Sequence, residues 1–293
     1  MDGVIVVDKP TGPSSHDIVQ RVRRLVGIRR VGHLGTLDPL GTGVLPLVIG
    51  RATRLSQFFL LHDRTYEAVV RCGFATTTFD AEGERVGPQV EPDLSSVDLE
   101  TVLEEFRGEI LQRPPPVSAK KIGGVRAYKL ARQNKPVELT PAAVQIHRLE
   151  LLALEADRFT IRVQSSAGCY VRSLAHEIGQ RLGSGAHLAA LRRTAMGQFD
   201  LTMAWDLDRL AQLQQEGRIE EALVKPETLL PEYPVERVDD VEAARIARGQ
   251  DFRAKSLLVR APARRVKAVA PNGRLIAIGE LRAPPVYHPI VVF

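Results

Sequence analysis

The segment that most constrains the fold spans residues 32–45 and reads Gly-His-Leu-Gly-Thr-Leu-Asp-Pro-Leu-Gly-Thr-Gly-Val-Leu. Its single carboxylate, Asp38, stands among four glycines and is followed directly by Pro39. A proline disfavours the α conformation for the residue before it, and glycines allow sharp bends or a close approach to a ligand. We therefore expect an exposed loop around Asp38 rather than part of a core. An Asp-Pro turn before a strand is the simpler alternative.

The length and charge of the chain bound its class. At 293 residues it exceeds the usual size of one domain, which favours a large domain followed by a small one. Lys and Arg number 40 against 35 Asp and Glu, and the isoelectric point near 9.4 favours an anionic partner. Cys72 and Cys169 have no neighbouring Cys or His at ligand spacing, which argues against a zinc site. No run approaches the ~20 apolar residues of a membrane helix, so we expect no membrane contact and a cytoplasmic location.

Arginines are densest just before the Asp38 loop. Ser14 and Ser15 predict the start of a helix that Gly27 ends. The polar face of this helix and the residues that follow it carry Arg21, Arg23, Arg24, Arg29 and Arg30. No acidic residue lies among them. Two interpretations therefore stay open: the arginines contact nucleic-acid phosphates, or they form a solvated helix face.

Apolar patterns predict the remaining elements. Strands are expected near residues 4–7, 44–49, 66–72, 144–154, 159–163, 257–260, 266–270 and 275–280. Helices are expected near residues 54–61, 96–107, 172–182 and 241–248, the second of them capped by Ser95 or Ser96. Residues 113–132 combine a proline block with basic side chains and one tyrosine, which indicates an exposed basic loop. No GxGxxG or GKS motif follows a strand, so a nucleotide-cofactor fold finds no support.

Six further blocks, together with the Asp38 loop and in the same order, resemble the TruB family of tRNA pseudouridine synthases. They lie at residues 8–15, at Tyr66, and at residues 80–83, 118–128, 168–172 and 185–193. The similarity spans nearly the whole chain. It implies an α+β fold, with a pseudouridine synthase domain over residues 1–230 built on a mixed, largely antiparallel sheet with flanking helices and loops. A small, β-rich, PUA-like RNA-binding domain would cover residues 231–293, and residues 113–132 would contact RNA.

The resemblance also implies an activity, the isomerisation of uridine 55 in the T loop of tRNA to pseudouridine. The target base flips out of its stack, and an aspartate acts as nucleophile. No metal and no cofactor are expected, because the N-glycosidic bond breaks and C5 joins the sugar without a change of oxidation state. The T arm of tRNA is the expected partner, and no protein partner is required. Attack at uracil C6 and attack at ribose C1′ both stay open.

Roles for single residues follow from the same resemblance. Asp38 is the nucleophile, Arg172 pairs with it and keeps it ionised, and Tyr66 stacks on the flipped base. The other substrate-binding candidates are His33, Asp80, Tyr170, Leu191, Lys9, Arg24 and Arg192. Of these, His33 would fill the space that the base vacates, and Asp80 would join the network of Asp38 and Arg172, unless it is only a turn carboxylate. Thr77 stands where many family members carry an acidic residue, so an RNA contact by that acid is not expected here.

Two other functions compete with this one. A guide-RNA-dependent pseudouridine synthase of the H/ACA ribonucleoprotein type is related, but such chains are usually longer at both ends and need protein partners. A non-catalytic RNA-binding or tRNA-folding protein would use the same basic surfaces. It would have no need for the combination of Asp38, Tyr66, Tyr170 and Arg172.

Overall fold

Two β-sheets organise the chain, of which a computed structural model describes residues 1–117, 121–122, 125–126, 140–255 and 263–293. The strands before residue 230 are β1 (Gly3–Lys9), β2 (Val31–His33), β3 (Gly41–Ile49), β4 (Arg64–Cys72), β5 (Ala75–Thr76), β6 (Arg85–Val86), β7 (Gly108–Gln112), β8 (Lys121–Ile122), β9 (Val125–Arg126), β10 (Ala142–Leu154), β11 (Arg158–Ser165), β12 (Ala186–Met196), β13 (Phe199–Asp200) and β14 (Leu223–Val224). The later strands are β15 (Val235–Arg237), β16 (Phe252–Arg253), β17 (Arg265–Val269), β18 (Leu275–Ala283) and β19 (Val286–Val292).

Helices flank these sheets. The described residues form the α-helices α1 (Ser15–Val26), α2 (Leu99–Glu104), α3 (Val171–Arg181), α4 (Leu207–Gln215) and α5 (Asp240–Ile246). They also form 3-10 helices at Gly50–Phe59, Leu201–Met203, Ile219–Ala222 and Pro226–Thr228. Within the described ranges, no helix is long and apolar enough to cross a membrane.

The larger sheet has ten strands and follows the order β14-β1-β3-β12-β4-β11-β10-β7, with β2 beside β3 and β13 beside β12. The smaller sheet has five strands in the order β15-β17-β18-β19-β16. Among the strand pairs that the structure describes, β3 with β12 and β15 with β17 are parallel, and the others are antiparallel. This confirms the predicted α+β class with a mixed, largely antiparallel sheet and a β-rich C-terminal part.

Strands β1 and β3 are apolar on both faces because each face covers a different core. Ile5 and Val7 of β1 pack toward the helix side, with residues of α1 and α3. Val4 and Val6 point the other way, into a core shared with the five-stranded sheet. A continuous apolar run is therefore required in these strands, whereas β4 alternates because its second face is only partly covered.

Local signals at the first helix are confirmed. Ser14 caps α1, and Asp17 completes a capping box by accepting from the backbone N–H of Ser14. Gly27 ends the helix in the left-handed conformation, as its position predicts. The same reasoning is wrong for α2, where Asp98 is the N-cap, because Ser95 bonds Asp93 instead.

Other predicted boundaries shift or lie outside the described residues. The helix expected over 54–61 is a 3-10 helix over Gly50–Phe59. The strand expected near 257–260 and most of the 113–132 loop lie outside the residues that the structure describes. The domain boundary at 230 stays a prediction: the two sheets end and begin on either side of it, yet Leu229 and Leu230 are fully buried in the core that the sheets share.

Gly43 provides a test of how tightly β3 and β12 pack. Its φ is +95°, and a Cβ there would lie 2.2 Å from the carbonyl oxygen of Arg193. Gly12 has a similar φ of +103°, but a Cβ there would meet nothing within 4 Å. We expect Gly43→Ala to lower the free energy of unfolding by about 2–5 kcal/mol and Gly12→Ala by only about 1–2 kcal/mol. Urea unfolding curves measure both, and equal losses would contradict the close packing of Gly43.

Candidate active site

The Asp38 loop is fixed from beneath by residues that precede it in the sequence. The Ser15 hydroxyl donates to the carbonyl oxygen of Leu37 and accepts from the Leu37 N–H, both at 2.8 Å. The Gly12 N–H donates to the carbonyl oxygen of Pro39 at 2.9 Å. The end of β1 and the start of α1 thus hold the backbone on both sides of Asp38.

Lys9 belongs to the same support, which corrects the prediction that it binds substrate. The side chain is fully buried, and its ammonium donates to the carbonyl oxygens of Pro10 at 2.9 Å, Pro39 at 3.2 Å and Gly41 at 2.7 Å. Burial lowers the pKa of the Lys9 ammonium to about 8, and the nearby Asp38 carboxylate opposes that shift. With three backbone acceptors engaged, Lys9 positions the loop rather than reaching RNA.

Arg193 is a second buried cation under the loop, and the sequence reasoning missed it. Its Nε donates to the carbonyl oxygen of Val44 at 2.7 Å, and its Nη atoms donate to those of Thr36 at 3.3 Å and Gly35 at 3.0 Å. On a strand, neighbours point to opposite faces. This alternation indicates from the sequence that Arg192 and Arg193 point to opposite faces of the strand and therefore have different roles.

Asp38 itself pairs with Arg172, as the sequence predicts. Arg172 Nε lies 2.9 Å from Asp38 Oδ2, although the N–H does not point at the oxygen with hydrogen-bond alignment. The side chain of Arg172 is 6% exposed, whereas that of Asp38 is 39% exposed. The carboxylate is therefore charge-compensated from behind and open to a ligand in front.

The guanidinium of Arg172 is held by two further segments. Its Nη1 donates to the carbonyl oxygen of Thr78 at 3.2 Å and lies 3.5 Å from Asp80 Oδ2, and its Nη2 donates to the carbonyl oxygen of Val117 at 2.9 Å. Asp80 in turn accepts from the Thr78 hydroxyl and from the Glu82 N–H. Asp80 is buried and does not line the cavity, so its predicted contact with substrate is wrong. Its predicted place in the network of Asp38 and Arg172 agrees with its position beside the guanidinium.

A cavity of about 230 Å³ opens in front of Asp38. Its walls are two backbone segments, residues 35–38 and 168–172, together with Arg64, Tyr66 and Leu191. Tyr66 projects from β4 and also contacts the Arg193 guanidinium, whose pKa is lowered by burial and raised by this contact. The structure thus brings together five predicted site residues, namely Asp38, Tyr66, Tyr170, Arg172 and Leu191.

Tyr170 is placed by a side chain that the sequence reasoning missed. Gln112, buried at the end of β7, accepts from the Tyr170 N–H at 2.7 Å and donates to the Tyr170 carbonyl oxygen at 3.1 Å. This two-point clamp fixes the residue that begins α3, one position before the turn that carries Arg172. The signal available in the sequence was a polar residue ending a strand directly before the proline block.

The thiol of Cys169 also lines the cavity but is a poor nucleophile there. Burial raises its pKa to about 11, so the thiolate is scarce at neutral pH. Asp38 is the better nucleophile at this site. Within the described ranges, no group of three or more His, Cys, Asp or Glu side chains is arranged to hold a metal ion.

Three predicted residues lie away from the cavity walls. His33 sits on β2, partly buried, and burial lowers the pKa of its imidazole. Arg192 forms a two-point ion pair with Asp8, at 2.7 and 3.1 Å, so its charge is already compensated. Arg24 is exposed near the end of α1. An RNA contact by any of the three stays a prediction.

Arg24 belongs to a basic surface formed by Arg21, Arg24, Arg29 and Arg30. All four are exposed, and none forms an ion pair with another residue in the part of the chain that the structure describes. Arg23 does not share this role, because its guanidinium donates to the backbone of β2. Uncompensated cations of this density favour a polyanionic ligand.

Family models match most of the chain. Residues 23–171 match the model of the TruB family pseudouridylate synthase N-terminal domain, and residues 172–235 match that of the tRNA pseudouridylate synthase B C-terminal domain. A protein of Solibacter usitatus called tRNA pseudouridine synthase B is 51% identical over 292 residues, which cover 100% of both chains. One of the same name from Stutzerimonas stutzeri is 44% identical, covering 96% of this chain and 92% of its own.

Two solved complexes contain a chain that is similar in fold. A chain of an H/ACA RNP bound to a substrate RNA containing 2'-deoxyuridine superimposes with a TM-score of 0.74 at 26% identity, covering 99% of this chain and 84% of that one. A chain of a Cbf5-Nop10-Gar1 complex gives 0.72 at 27% identity, covering 97% and 79%.

The role of Lys9 can be separated from RNA binding by substitution. Lys9→Met removes the buried ammonium that donates to the carbonyl oxygens of Pro10, Pro39 and Gly41, so we expect the free energy of unfolding to fall by about 2–5 kcal/mol. Lys225→Met, which removes an exposed lysine, should change it by less than about 0.5 kcal/mol. Urea unfolding gives the stability, and RNA titration at several salt concentrations should give an unchanged slope. A lower slope with normal stability would return Lys9 to the RNA interface.

Proposed function

The chain belongs to the TruB family of pseudouridylate synthases, and from this premise we propose that it converts uridine 55 in the T loop of tRNA to pseudouridine. The family makes it an isomerase that acts on uridine in tRNA. Position 55, the T arm as the bound element and the roles of single residues are our proposal. The ion pair between Asp38 and the buried Arg172, beside a cavity that also contains Tyr66, is the observation that carries it.

The reaction changes the bond between uracil and ribose from N1–C1′ to C5–C1′. The N1–C1′ bond breaks, the ring turns, and C5 bonds to C1′; the proton on C5 is lost and N1 gains one. Asp38 supplies a carboxylate that bonds reversibly to C6 or to C1′ during these steps. Arg172 keeps that carboxylate ionised and oriented, and Tyr66 offers a ring on which the flipped base stacks.

RNA has to be held while the target base leaves its stack, which costs a few kcal/mol. We assign this task to the basic surface on α1 and to residues 231–293 as a second, PUA-like unit. The five-stranded sheet of that unit shares a core with β1 and β3, and β3 continues directly from the Asp38 loop, which supports a fixed relation between this unit and the loop. We expect the reaction in the cytoplasm, with no metal, cofactor or protein partner.

A guide-RNA-dependent reaction is the second candidate, because one structural neighbour is a chain of an H/ACA RNP. The identities favour the first candidate. The chain is 51% identical to a relative called tRNA pseudouridine synthase B and 26% identical to the chain from the H/ACA RNP. We therefore propose that the protein selects tRNA directly.

A tritium-release assay tests the proposal. Pure protein is incubated with unmodified T-arm RNA that carries tritium at uracil C5, and tritium in water is counted. We expect release by the wild type and by Asp240→Asn, an exposed control, and loss of at least about 10³-fold for Asp38→Asn, because the nucleophile is absent. Release only after a guide RNA is added would support the H/ACA type. RNA binding without release by any variant would support a binding protein.

The basic surface is tested by the salt dependence of RNA binding. Arg24→Gln should weaken binding and lower the slope of log K against log salt by about 1, because one phosphate contact is lost. Arg181→Gln is the matched control, since Arg181 is exposed but already paired with Glu105. Fluorescence anisotropy with the same T-arm RNA measures both variants. Equal slopes for Arg24→Gln and the control would remove α1 from the interface.

A further inference from the structure

Phe79 has an unusual backbone conformation beside the active site. Its φ is +64°, and within the described ranges only Leu230 is another non-glycine residue with a positive φ. The left-handed region is disfavoured for a residue with a Cβ, so the surroundings must hold Phe79 there. Its two neighbours, Thr78 and Asp80, are the residues of this turn that face Arg172.

The ring of Phe79 stacks on the imidazole of His176. The ring centroids are 3.8 Å apart and the planes differ by 8°. His176 follows Arg172 by four residues on α3, so both side chains leave the same face of the helix. One helix face therefore carries both the guanidinium and the ring that holds the turn opposite it.

The other side of the turn is fixed to β12. The Leu188 N–H donates to the carbonyl oxygen of Phe79 at 3.0 Å, and the Ala81 N–H donates to that of Leu188 at 3.0 Å. These bonds fix the backbone of the turn along one edge only. The stack on His176 joins the same turn to α3, next to the contacts that Arg172 makes with Thr78 and Asp80.

We propose that Phe79 and His176 are positioning residues for Arg172 in the isomerisation. The stack sets the distances of the Thr78 carbonyl oxygen and the Asp80 carboxylate from the Arg172 guanidinium. The position of the guanidinium in turn sets the orientation of Asp38. Both rings are only partly buried, so the pair adds little to the core, and its loss should disturb the ion pair more than the fold. Only the kinetic test of this inference rests on the proposed function.

The kinetic test compares three variants in the tritium-release assay. His176→Ala should lower kcat about tenfold with KM changed less than twofold, because the group that is displaced acts on the bound substrate. His176→Phe keeps a ring on Phe79 and should recover at least half of the wild-type kcat. Phe74→Ala is the control. Phe74 lies between β4 and β5 and its ring contacts His187 of β12, so we expect this substitution to leave residues 78–80 in place.

Coupling to Asp80 gives a sharper test. If the stack acts through Asp80 and Arg172, His176→Ala should lower kcat by a clearly smaller factor in the Asp80→Asn background than in the wild type, where we expect about a tenfold loss. An equal loss in both backgrounds would show that the stack does not act through this carboxylate. A raised KM with unchanged kcat in His176→Ala would indicate that the two rings contact RNA instead. Failure of His176→Phe to recover kcat would also overturn the proposal.

A spectroscopic readout separates this inference from the proposed function. In protein labelled with 15N-arginine, the Nε–H signal of Arg172 is assigned by its absence in Arg172→Lys. We expect that signal to shift in His176→Ala and to return toward the wild-type position in His176→Phe, whether or not the assay detects turnover. An unmoved signal in His176→Ala would refute the positioning role, whereas absence of tritium release by the wild type would refute the proposed function alone.

Discussion

The buried guanidinium of Arg172 is the charge on which the site depends. A buried cation is tolerated only when acceptors surround it, and Arg172 finds them in Asp38, in residues 78–80 and at Val117. These three segments are far apart in sequence, and the ten-stranded sheet is what brings them to one end of α3. The ion pair therefore exists only in the folded chain, and each segment that reaches Arg172 helps to determine where Asp38 points.

The protein uses buried cations for a second purpose, the fixing of irregular backbone. Lys9 holds the carbonyl oxygens of Pro39 and Gly41, Arg193 holds those of Gly35 and Thr36, and Lys267 holds those of Glu227 and Leu229. Burial lowers the pKa of all three groups. In each case the carbonyl dipoles partly compensate the buried charge. The same hydrogen bonds hold loop backbone that has no strand ladder of its own.

Local rules predicted much of this fold and part of the site. Ser14 and Gly27 bound α1 as expected, and the alternation in β4 correctly places Tyr66 on the buried face. Sequence could not show that Gly43 faces the backbone of Arg193 rather than a ligand, because this contact joins strands that are distant in the sequence. The neighbouring bond from Arg193 to Val44 spans 149 residues. The burial of Lys9 was hidden for the same reason, because two of its three acceptors, Pro39 and Gly41, lie 30 and 32 residues later in the sequence. Family likeness identifies such residues but does not tell whether they touch substrate or hold the loop.

If the protein acts as we propose, the unequal exposure of Asp38 and Arg172 predicts that positioning matters most after RNA binds. In the free protein, water reaches the Asp38 carboxylate and solvates its charge. A flipped nucleotide in the cavity would displace that water and leave the charge to be balanced by Arg172. A shift of Arg172 that costs little before binding therefore becomes costly once the site closes. Groups that orient Arg172, including those that never meet the substrate, should accordingly act on the chemical steps more than on affinity.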